Sequence, residues 1–171
     1  MKGYIHVYTG NGKGKTTAAI GLAIRALGAG KKVFFAQFVK GMVYSEVKAL
    51  QKWSSDITIK QYGLDCFIYQ KPTQADIEAA RKGLKEVSEI ILSEKFDLVV
   101  LDEANIAIYF KLFELEELMA LLKSKPEQTE LVITGRYAPQ ELLELADLVS
   151  EMKEIKHYYS KGIEARLGIE Y

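Results

Sequence analysis

Short hydrophobic runs alternate along the chain with segments whose hydrophobic residues recur every three or four positions. A strand that is covered on both faces is apolar along its length, so the short runs predict buried strands. These strands are expected at residues 4–8, 32–38, 96–101 and 130–134. Residues 57–62 alternate between apolar and polar, which is typical of a strand nearer the sheet edge. A last strand is expected within 148–157.

The periodic segments predict five helices. They span residues 18–29, 45–53, 77–91, 114–122 and 139–145. The segment 63–73 has no clear period and ends near Pro72, so we expect a loop there, and 161–170 gives no clear prediction. Strands that alternate with helices in this way predict an α/β fold with a mostly parallel sheet and helices on both faces.

Length and composition narrow the class of protein. A chain of 171 residues, nearly half of them hydrophobic, is expected to form a single domain over residues 1–171. Lys plus Arg equals Asp plus Glu, so the chain lacks the basic footprint of a nucleic-acid-binding protein. Cys66 is the only cysteine, which excludes an intrachain disulfide and a cysteine-based zinc cluster. Without a signal-peptide or membrane-spanning pattern, a cytoplasmic protein with no membrane partner is expected.

A glycine-rich turn, residues 9–17, joins the first strand to the first helix and reads TGNGKGKTT. Glycines let the backbone aim several N–H groups at one point, and the following helix adds the positive end of its dipole. Lys15 would place its charge on a phosphate oxygen, and the Thr16 hydroxyl would ligate Mg²⁺. The turn is one residue tighter than the common phosphate-binding pattern. A turn that binds nothing is the alternative.

Further polar residues follow the other strands. In a parallel sheet they meet at the carboxyl edge, where ligands bind. They are Gln37, Lys40, Asp102, Glu103, Thr134 and Arg136. The acidic pair at 102–103 suits a magnesium site beside a nucleotide, and two solvated acids are the alternative. Arg136 is expected either on a phosphate or in a surface ion pair.

Three other positions leave two interpretations open. Arg25 lies in the first predicted helix, where it would either touch a ribose or face solvent. Phe67 and Tyr69 alternate in an otherwise polar loop, where they would either line a pocket for a large flat ligand or anchor the loop to the core.

The chain as a whole resembles the ATP:corrinoid adenosyltransferases of cobalamin synthesis and salvage. The resemblance rests on residues 9–19, 37–41, 99–103, 134–136, 146–152, 156–157 and 168–171. The shortened phosphate loop is itself the form that this family has. The resemblance implies a RecA-like phosphate-loop fold with ATP as co-substrate and Mg²⁺, or Mn²⁺ in its place. It also implies a transferase reaction in which the Co(I) centre of a reduced corrinoid attacks the ribose 5′-carbon of ATP and tripolyphosphate leaves.

The resemblance implies roles for individual residues as well. The nucleotide-binding residues are expected to be Gly10, Asn11, Gly12, Lys13, Gly14, Lys15, Thr16, Thr17, Arg25 and Gln37. The catalytic residues are expected to be Lys15, Thr16, Glu103 and Arg136, and the metal site Thr16, Asp102 and Glu103. Phe67 and Tyr69 fall where the family places aromatics beside the corrinoid, although the family's Gly-Phe-Thr-Trp reads Cys-Phe-Ile-Tyr at 66–69.

The expected partners are the corrinoid substrate, an electron-donating reductase and a second copy of the chain in a homodimer. Two other hypotheses are kept. One is a phosphate-loop kinase or NTPase that transfers or hydrolyses the γ-phosphate, and the other is a nucleotide-dependent binding module without turnover. The product distinguishes them, because only adenosyl transfer releases tripolyphosphate.

Overall fold

Six parallel strands form one sheet in the computed structural model, which describes residues 2–42, 44–52, 55–64 and 71–171. The strands are β1 (Ile5–Thr9), β2 (Val33–Phe38), β3 (Ile57–Tyr62), β4 (Leu98–Asp102), β5 (Glu130–Thr134) and β6 (Leu148–Glu151). Their order across the sheet is β3-β2-β4-β5-β1-β6. The predicted parallel sheet is confirmed, and so is the place of β3 at an edge.

Helices cover both faces of this sheet, as the sequence predicts. They are α1 (Lys15–Gly28), α2 (Ser45–Gln51), α3 (Gln74–Leu92), α4 (Ala104–Tyr109), α5 (Leu115–Lys123) and α6 (Gln140–Leu145), and a 3₁₀ turn spans Tyr158–Lys161. Buried residues of α1 and α2 pack against Phe35 and Val100 on one face. Buried residues of α3, α4, α5 and α6 pack against Phe34 and Val99 on the other. The fold is therefore α/β with two hydrophobic layers.

The central strands are buried on both faces, which explains their continuous hydrophobic runs. All residues of β2 and β4 are buried. Consecutive side chains point to opposite faces of a strand, so Phe34 and Phe35 enter different layers. Apolar and polar residues alternate in the edge strand β3 because only part of its surface is covered.

Three helices differ from the prediction. Helix α3 begins at Gln74 rather than at residue 77, because Thr73 and Asp76 form a capping box at its start. Helix α1 begins at Lys15 rather than at residue 18, because Gly14, with φ 120°, turns the chain directly into the helix. Helix α4 was not predicted at all. It has only six residues, fewer than two turns, and such a segment shows no helical period in sequence.

Because the strands are parallel, their carboxyl ends lie along one edge of the sheet. Gln37 of β2 is in register with Asp102 of β4, and Tyr8 of β1 is in register with Thr134 of β5. The glycine-rich turn after β1 therefore lies at the same edge as the ends of β2, β4 and β5. Of the helices in the described residues, none combines the length and the apolar character that crossing a membrane requires.

Candidate nucleotide-binding and catalytic site

The glycine-rich turn, called the phosphate loop from here on, adopts backbone conformations that favour glycine. Gly10 has φ 96° and Gly14 has φ 120°. Gly14 is the N-cap of α1, so the first N–H groups of a 14-residue helix face the loop. These N–H groups lack helical partners and carry the positive end of the helix dipole. The loop thus has the geometry of an anion-binding site.

Lys15 holds the phosphate loop in shape. Its Nζ donates to the carbonyl oxygens of Gly10 and Gly12, both at 2.7 Å. The side chain is buried, and this burial lowers the pKa of its amine despite the nearby carboxylates of Glu103 and Asp102. The charge therefore lies in a poorly solvated position at the centre of the loop, where its attraction to an anion would be strong.

The loop also packs closely against the chain that follows β6. The Gly12 N–H donates to the Met152 carbonyl at 2.6 Å. A Cβ atom at Gly12 would lie 2.7 Å from that carbonyl oxygen, which is closer than packing allows.

Gly12→Ala is therefore expected to displace the phosphate loop. Overpacking of this kind costs about 1–3 kcal/mol, so ATP affinity should fall about tenfold. Gly21→Ala is the matched control, because Gly21 lies within α1 and nothing lies within 4 Å of its Cβ position. Calorimetric titration with ATP tests this, and equal affinities of the two variants would contradict it.

Asp102 connects the phosphate loop to three other elements. Its Oδ1 accepts hydrogen bonds from the hydroxyls of Thr16 at 2.8 Å and Thr134 at 2.7 Å. Its Oδ2 accepts from Lys40 Nζ at 2.8 Å and from Gln37 Nε2 at 3.4 Å. The carboxylate is completely buried, and its donors come from three parts of the chain: the start of α1, β2 with the residues just after it, and the end of β5. Asp102 therefore fixes the geometry of the whole edge.

The charge of Asp102 is balanced by Lys40. Burial by itself raises the pKa of the Asp102 carboxyl, but the ion pair with Lys40 and the hydroxyl bonds outweigh it, so this pKa lies below its usual range. Burial likewise lowers the pKa of Lys40, and Asp102 more than offsets the effect, so the pKa of Lys40 is raised. Both groups are charged in the folded protein, and each depends on the other.

Glu103 differs from its neighbour in having no such partner. Burial and the nearby Asp102 charge raise the pKa of its carboxyl. Within the described part of the chain, no side chain donates a hydrogen bond to this carboxylate, although its backbone N–H donates to Thr134 Oγ1 at 3.0 Å. Glu103 has φ 59°, a left-handed conformation that is strained for a residue with a side chain.

These donors fit a magnesium ion. Mg²⁺ prefers oxygen ligands and is usually held by one or two carboxylates together with substrate phosphates. Glu103 offers an unpaired carboxylate and Thr16 a hydroxyl, whereas both oxygens of Asp102 are already occupied by donors. Across the described residues, no cluster of three or more His, Cys, Asp or Glu could hold a metal. A metal at this edge would thus depend on phosphate oxygens for its remaining ligands.

Arg136 follows the end of β5 and is exposed. It comes after Gly135, whose φ of 130° turns the chain and whose carbonyl accepts a hydrogen bond from Asn105 Nδ2 at 3.0 Å. Its charge lowers the pKa of Lys15, as an influence smaller than burial and Glu103. It also acts to lower the pKa of Glu103, as an influence smaller than burial and the charges of Asp102, Lys40 and Lys15. The structure therefore brings Arg136 to the same edge as the loop and the acidic pair.

The remaining predicted residues lie in different places. Asn11 and Thr17 are exposed on the loop and at the start of α1. Gln37 is fully buried, donates a hydrogen bond to Asp102 and accepts one from Gln61, so it helps to hold the Asp102 carboxylate in place. Phe67 and Tyr69 lie outside the described residues, so their predicted contact with the corrinoid stays a prediction.

Arg25 is not brought to the cluster around Asp102. It lies in the last turn of α1, ten residues after Lys15, which corresponds to about 15 Å along a helix. It is exposed, and its charge is a minor influence that lowers the pKa of Tyr8, after burial and Glu130, which raise it. Its predicted contact with the nucleotide stays a prediction.

The sequence assigned no specific partner to two residues at the centre of the site. Lys40 and Thr134 were placed at the carboxyl edge, but nothing in the sequence paired either with Asp102. The signal was the position of each just after or at the end of a buried strand.

A parallel α/β sheet with a glycine-rich loop, a helix N-terminus and a buried aspartate at the same edge defines a phosphate-loop nucleotide-binding protein. Comparison with known proteins gives the family. Residues 1–171 match the family described as ATP:corrinoid adenosyltransferase BtuR/CobO/CobP. The chain belongs to this family.

Named relatives agree. The chain is 37% identical over 171 residues to a corrinoid adenosyltransferase of Escherichia coli K12, covering 99% of this chain and 86% of that protein. It is 38% identical over 174 residues to one from Sinorhizobium sp, covering 99% of this chain and 81% of the relative. Corrinoid adenosyltransferase CobA of Salmonella typhimurium is 36% identical over 171 residues, with 99% and 86% covered. The expected activity, adenosyl transfer from ATP to a corrinoid in cobalamin biosynthesis, is confirmed.

Proposed function

We propose that the carboxyl edge of the sheet binds the triphosphate of ATP and leaves the ribose 5′-carbon open to the corrinoid cobalt. The observation that carries this proposal is the fully buried Asp102, which joins Thr16 at the start of α1 to Lys40 and Thr134. An aspartate held in this way fixes the hydroxyl and amine groups around the loop before ATP arrives, and such preorganisation strengthens electrostatic stabilisation.

In the proposed complex, the loop N–H groups and the N-terminus of α1 bind the triphosphate oxygens. Lys15 turns from the carbonyl oxygens of Gly10 and Gly12 to a phosphate oxygen. Its buried position supports this role, because an ammonium group with little hydration gains more from an anion than an exposed one does.

Glu103 and Thr16 are the proposed ligands of Mg²⁺. Bound Mg²⁺ neutralises negative charge on the triphosphate. Asp102 does not bind the ion directly in this proposal. It orients the Thr16 hydroxyl, because its Oδ1 already accepts the Thr16 and Thr134 hydrogen bonds and its Oδ2 pairs with Lys40.

The reaction itself is a displacement at carbon. The reduced cobalt supplies an electron pair to the 5′-carbon, a cobalt–carbon bond forms, and the carbon–oxygen bond to the triphosphate breaks. The electron pair of that bond leaves with tripolyphosphate, whose growing charge Lys15 and Arg136 stabilise. Co(I) is already a strong nucleophile, so this step needs no protein base.

Glu103→Gln tests the proposed metal role. The variant keeps the shape of the side chain and removes its charge, so the Mg²⁺ concentration needed for half-maximal ATP binding is expected to rise about tenfold or more. ATP binding is measured by calorimetry across a magnesium titration, with no corrinoid present. Glu89→Gln, on an exposed position of α3, is the matched control. An unchanged magnesium dependence in Glu103→Gln would place the metal elsewhere.

Three further features belong to the proposal through the family resemblance alone. They are a reductase that delivers the electron to the corrinoid cobalt, a homodimer, and a cytoplasmic location. Size-exclusion chromatography with light scattering tests the homodimer directly.

A further inference from the structure

The last part of the chain, residues 153–171, contributes no buried side chains to the hydrophobic core. None of its residues is buried, and Ile155, Tyr159 and Leu167 are more than seven-tenths exposed. A segment held by packing would bury apolar side chains, and one without burial opens easily. We call residues 153–171 the C-terminal segment.

Lys13 of the phosphate loop holds this segment. Its Nζ donates to Glu170 Oε1 at 2.6 Å, to the Ile169 carbonyl at 2.8 Å and to the Tyr158 hydroxyl at 3.1 Å. The Tyr158 hydroxyl also donates to Glu170. The partly buried residues of the segment are His157, Tyr158 and Glu170, and the last two of these belong to the network.

Three more contacts extend the network. Arg166 donates from its backbone N–H to Glu170 Oε2 at 2.7 Å, and its guanidinium lies 5.0 Å from the Tyr158 ring centre. Beyond Glu170, a main-chain oxygen of Tyr171 accepts a hydrogen bond from Ser45 of α2 at 3.1 Å. The C-terminal segment therefore runs from the end of β6, across the phosphate loop, to the start of α2.

We propose that Lys13 serves to tether the C-terminal segment to the phosphate loop rather than to bind the triphosphate, and that Glu170 is the positioning residue of this tether. All three acceptors of Lys13 belong to the C-terminal segment, and Glu170 already neutralises its charge. The hydrogen bond from Lys13 holds the pKa of the Glu170 carboxyl well below its usual range. Lys15, two residues further along the chain, supplies the positive charge that binds phosphate in this proposal.

The tether has a consequence for ATP. The loop is held from within by Lys15 and from outside by Met152 and by the C-terminal segment through Lys13. If the tether restrains the loop in its binding conformation, then ATP binding and ordering of the segment favour each other to the same extent, because linkage is reciprocal. This part of the inference rests on the proposed binding of ATP at the phosphate loop.

A double-mutant cycle tests the tether. Lys13→Ala, Glu170→Ala and the double variant are compared, first without ATP, by the rate of trypsin cleavage after Lys161 and Arg166. Each single variant is expected to raise this rate about tenfold, since cleavage follows the open population, and the double variant by much less than the product of the two single increases, because Lys13 and Glu170 share the same network. Lys95→Ala, an exposed lysine in the turn before β4, is the matched control and should leave the rate unchanged.

ATP affinity is then measured for the same four proteins and the wild type. Lys13→Ala, Glu170→Ala and the double variant are each expected to bind ATP several-fold more weakly than the wild type, with the loss in the double variant smaller than the product of the two single losses. Additive losses, with Lys13→Ala weakening ATP binding as much when Glu170 is absent as when it is present, would overturn the proposal and make Lys13 a phosphate ligand. Unchanged cleavage in both single variants would also overturn it. Wild-type protein that fails to bind ATP would instead refute the proposed function, so the two failures are distinguishable.

The charge-swapped pair adds a positive test. Lys13→Glu combined with Glu170→Lys restores one ion pair in reverse, and protection of the segment from trypsin is expected to recover in part relative to Lys13→Glu alone. No recovery would show that the pairing of these two side chains does not hold the segment.

Discussion

Asp102→Ala is expected to destabilise the protein by about 3–5 kcal/mol, the usual cost of removing one partner of a buried ion pair. Lys40, whose side chain is only 14% exposed, would lose its carboxylate, and the hydroxyls of Thr16 and Thr134 would lose their acceptor. The free energy of unfolding from urea titration measures this loss. A change below about 1 kcal/mol, the range of an exposed pair, would contradict the buried pairing.

A second variant separates charge from packing. Asp102→Asn combined with Lys40→Met removes both charges and keeps the side-chain volumes similar. It is expected to recover most of the stability that Asp102→Asn alone loses, because no unpaired charge then remains buried. If the double variant regains stability but not turnover, then Asp102 and Lys40 contribute to catalysis as well as to folding stability.

Lys15→Ala is expected to lower turnover by about 10²–10³-fold, as loss of a preorganised charge-stabilising group does elsewhere. The fold should lose less stability than in Asp102→Ala, because no buried charge is left unpaired and the space that the Lys15 side chain vacates lets water reach the carbonyl oxygens of Gly10 and Gly12. The measurement is kcat with saturating ATP and corrinoid, together with an unfolding curve for each variant.

Lys95→Ala serves again as the control for Lys15→Ala, because it removes the same charge at a site remote from the loop. Near-native kcat in Lys15→Ala would contradict the assignment of Lys15 to the triphosphate. A large loss of stability in that variant would make the kinetic result uninformative about phosphate, in which case Lys15→Arg, which keeps the charge, supplies the comparison.

The main features of the fold could be predicted because their signals are local. The apolar run of β4 and the glycine-rich turn before α1 each carry their pattern within a few residues. In parallel sheets the carboxyl ends share an edge, so the position of Asp102, Thr134 and Lys40 followed from the order of strands and helices. The family resemblance then supplied the activity, which composition and periodicity alone left open between adenosyl transfer and γ-phosphate transfer.

The pairings within the site could not be predicted in the same way. Lys40 and Asp102 are 62 residues apart, and Lys13 and Glu170 are 157 apart. No periodicity links such positions, and only the packed sheet and the course of the C-terminal segment bring them together. The position of Gln37 beneath Asp102 is also a result of packing, since its sequence context predicts a strand end but not full burial.

Helix α4 illustrates a different limit. The backbone turns into this helix at Glu103, in a left-handed conformation that no sequence signal predicts. The six helical residues that follow are mostly apolar, so they show no amphipathic pattern. A glycine would mark such a turn, but here the acidic residue itself occupies it. Strained backbone conformations often occur at functional positions, which agrees with the proposed role of Glu103 as a metal ligand.

Adenosyl transfer is tested most directly by measuring which phosphate product ATP gives. Purified protein is mixed with MgATP and chemically reduced cob(I)alamin under anaerobic conditions, and the products are measured by phosphorus NMR and by the light-sensitive spectrum of adenosylcobalamin. Bond breaking at the 5′-carbon predicts tripolyphosphate and adenosylcobalamin in equal amounts, and the loss of both in Lys15→Ala. ADP with free phosphate or a phosphorylated acceptor, and no adenosylcobalamin, would mean that the site transfers the γ-phosphate instead.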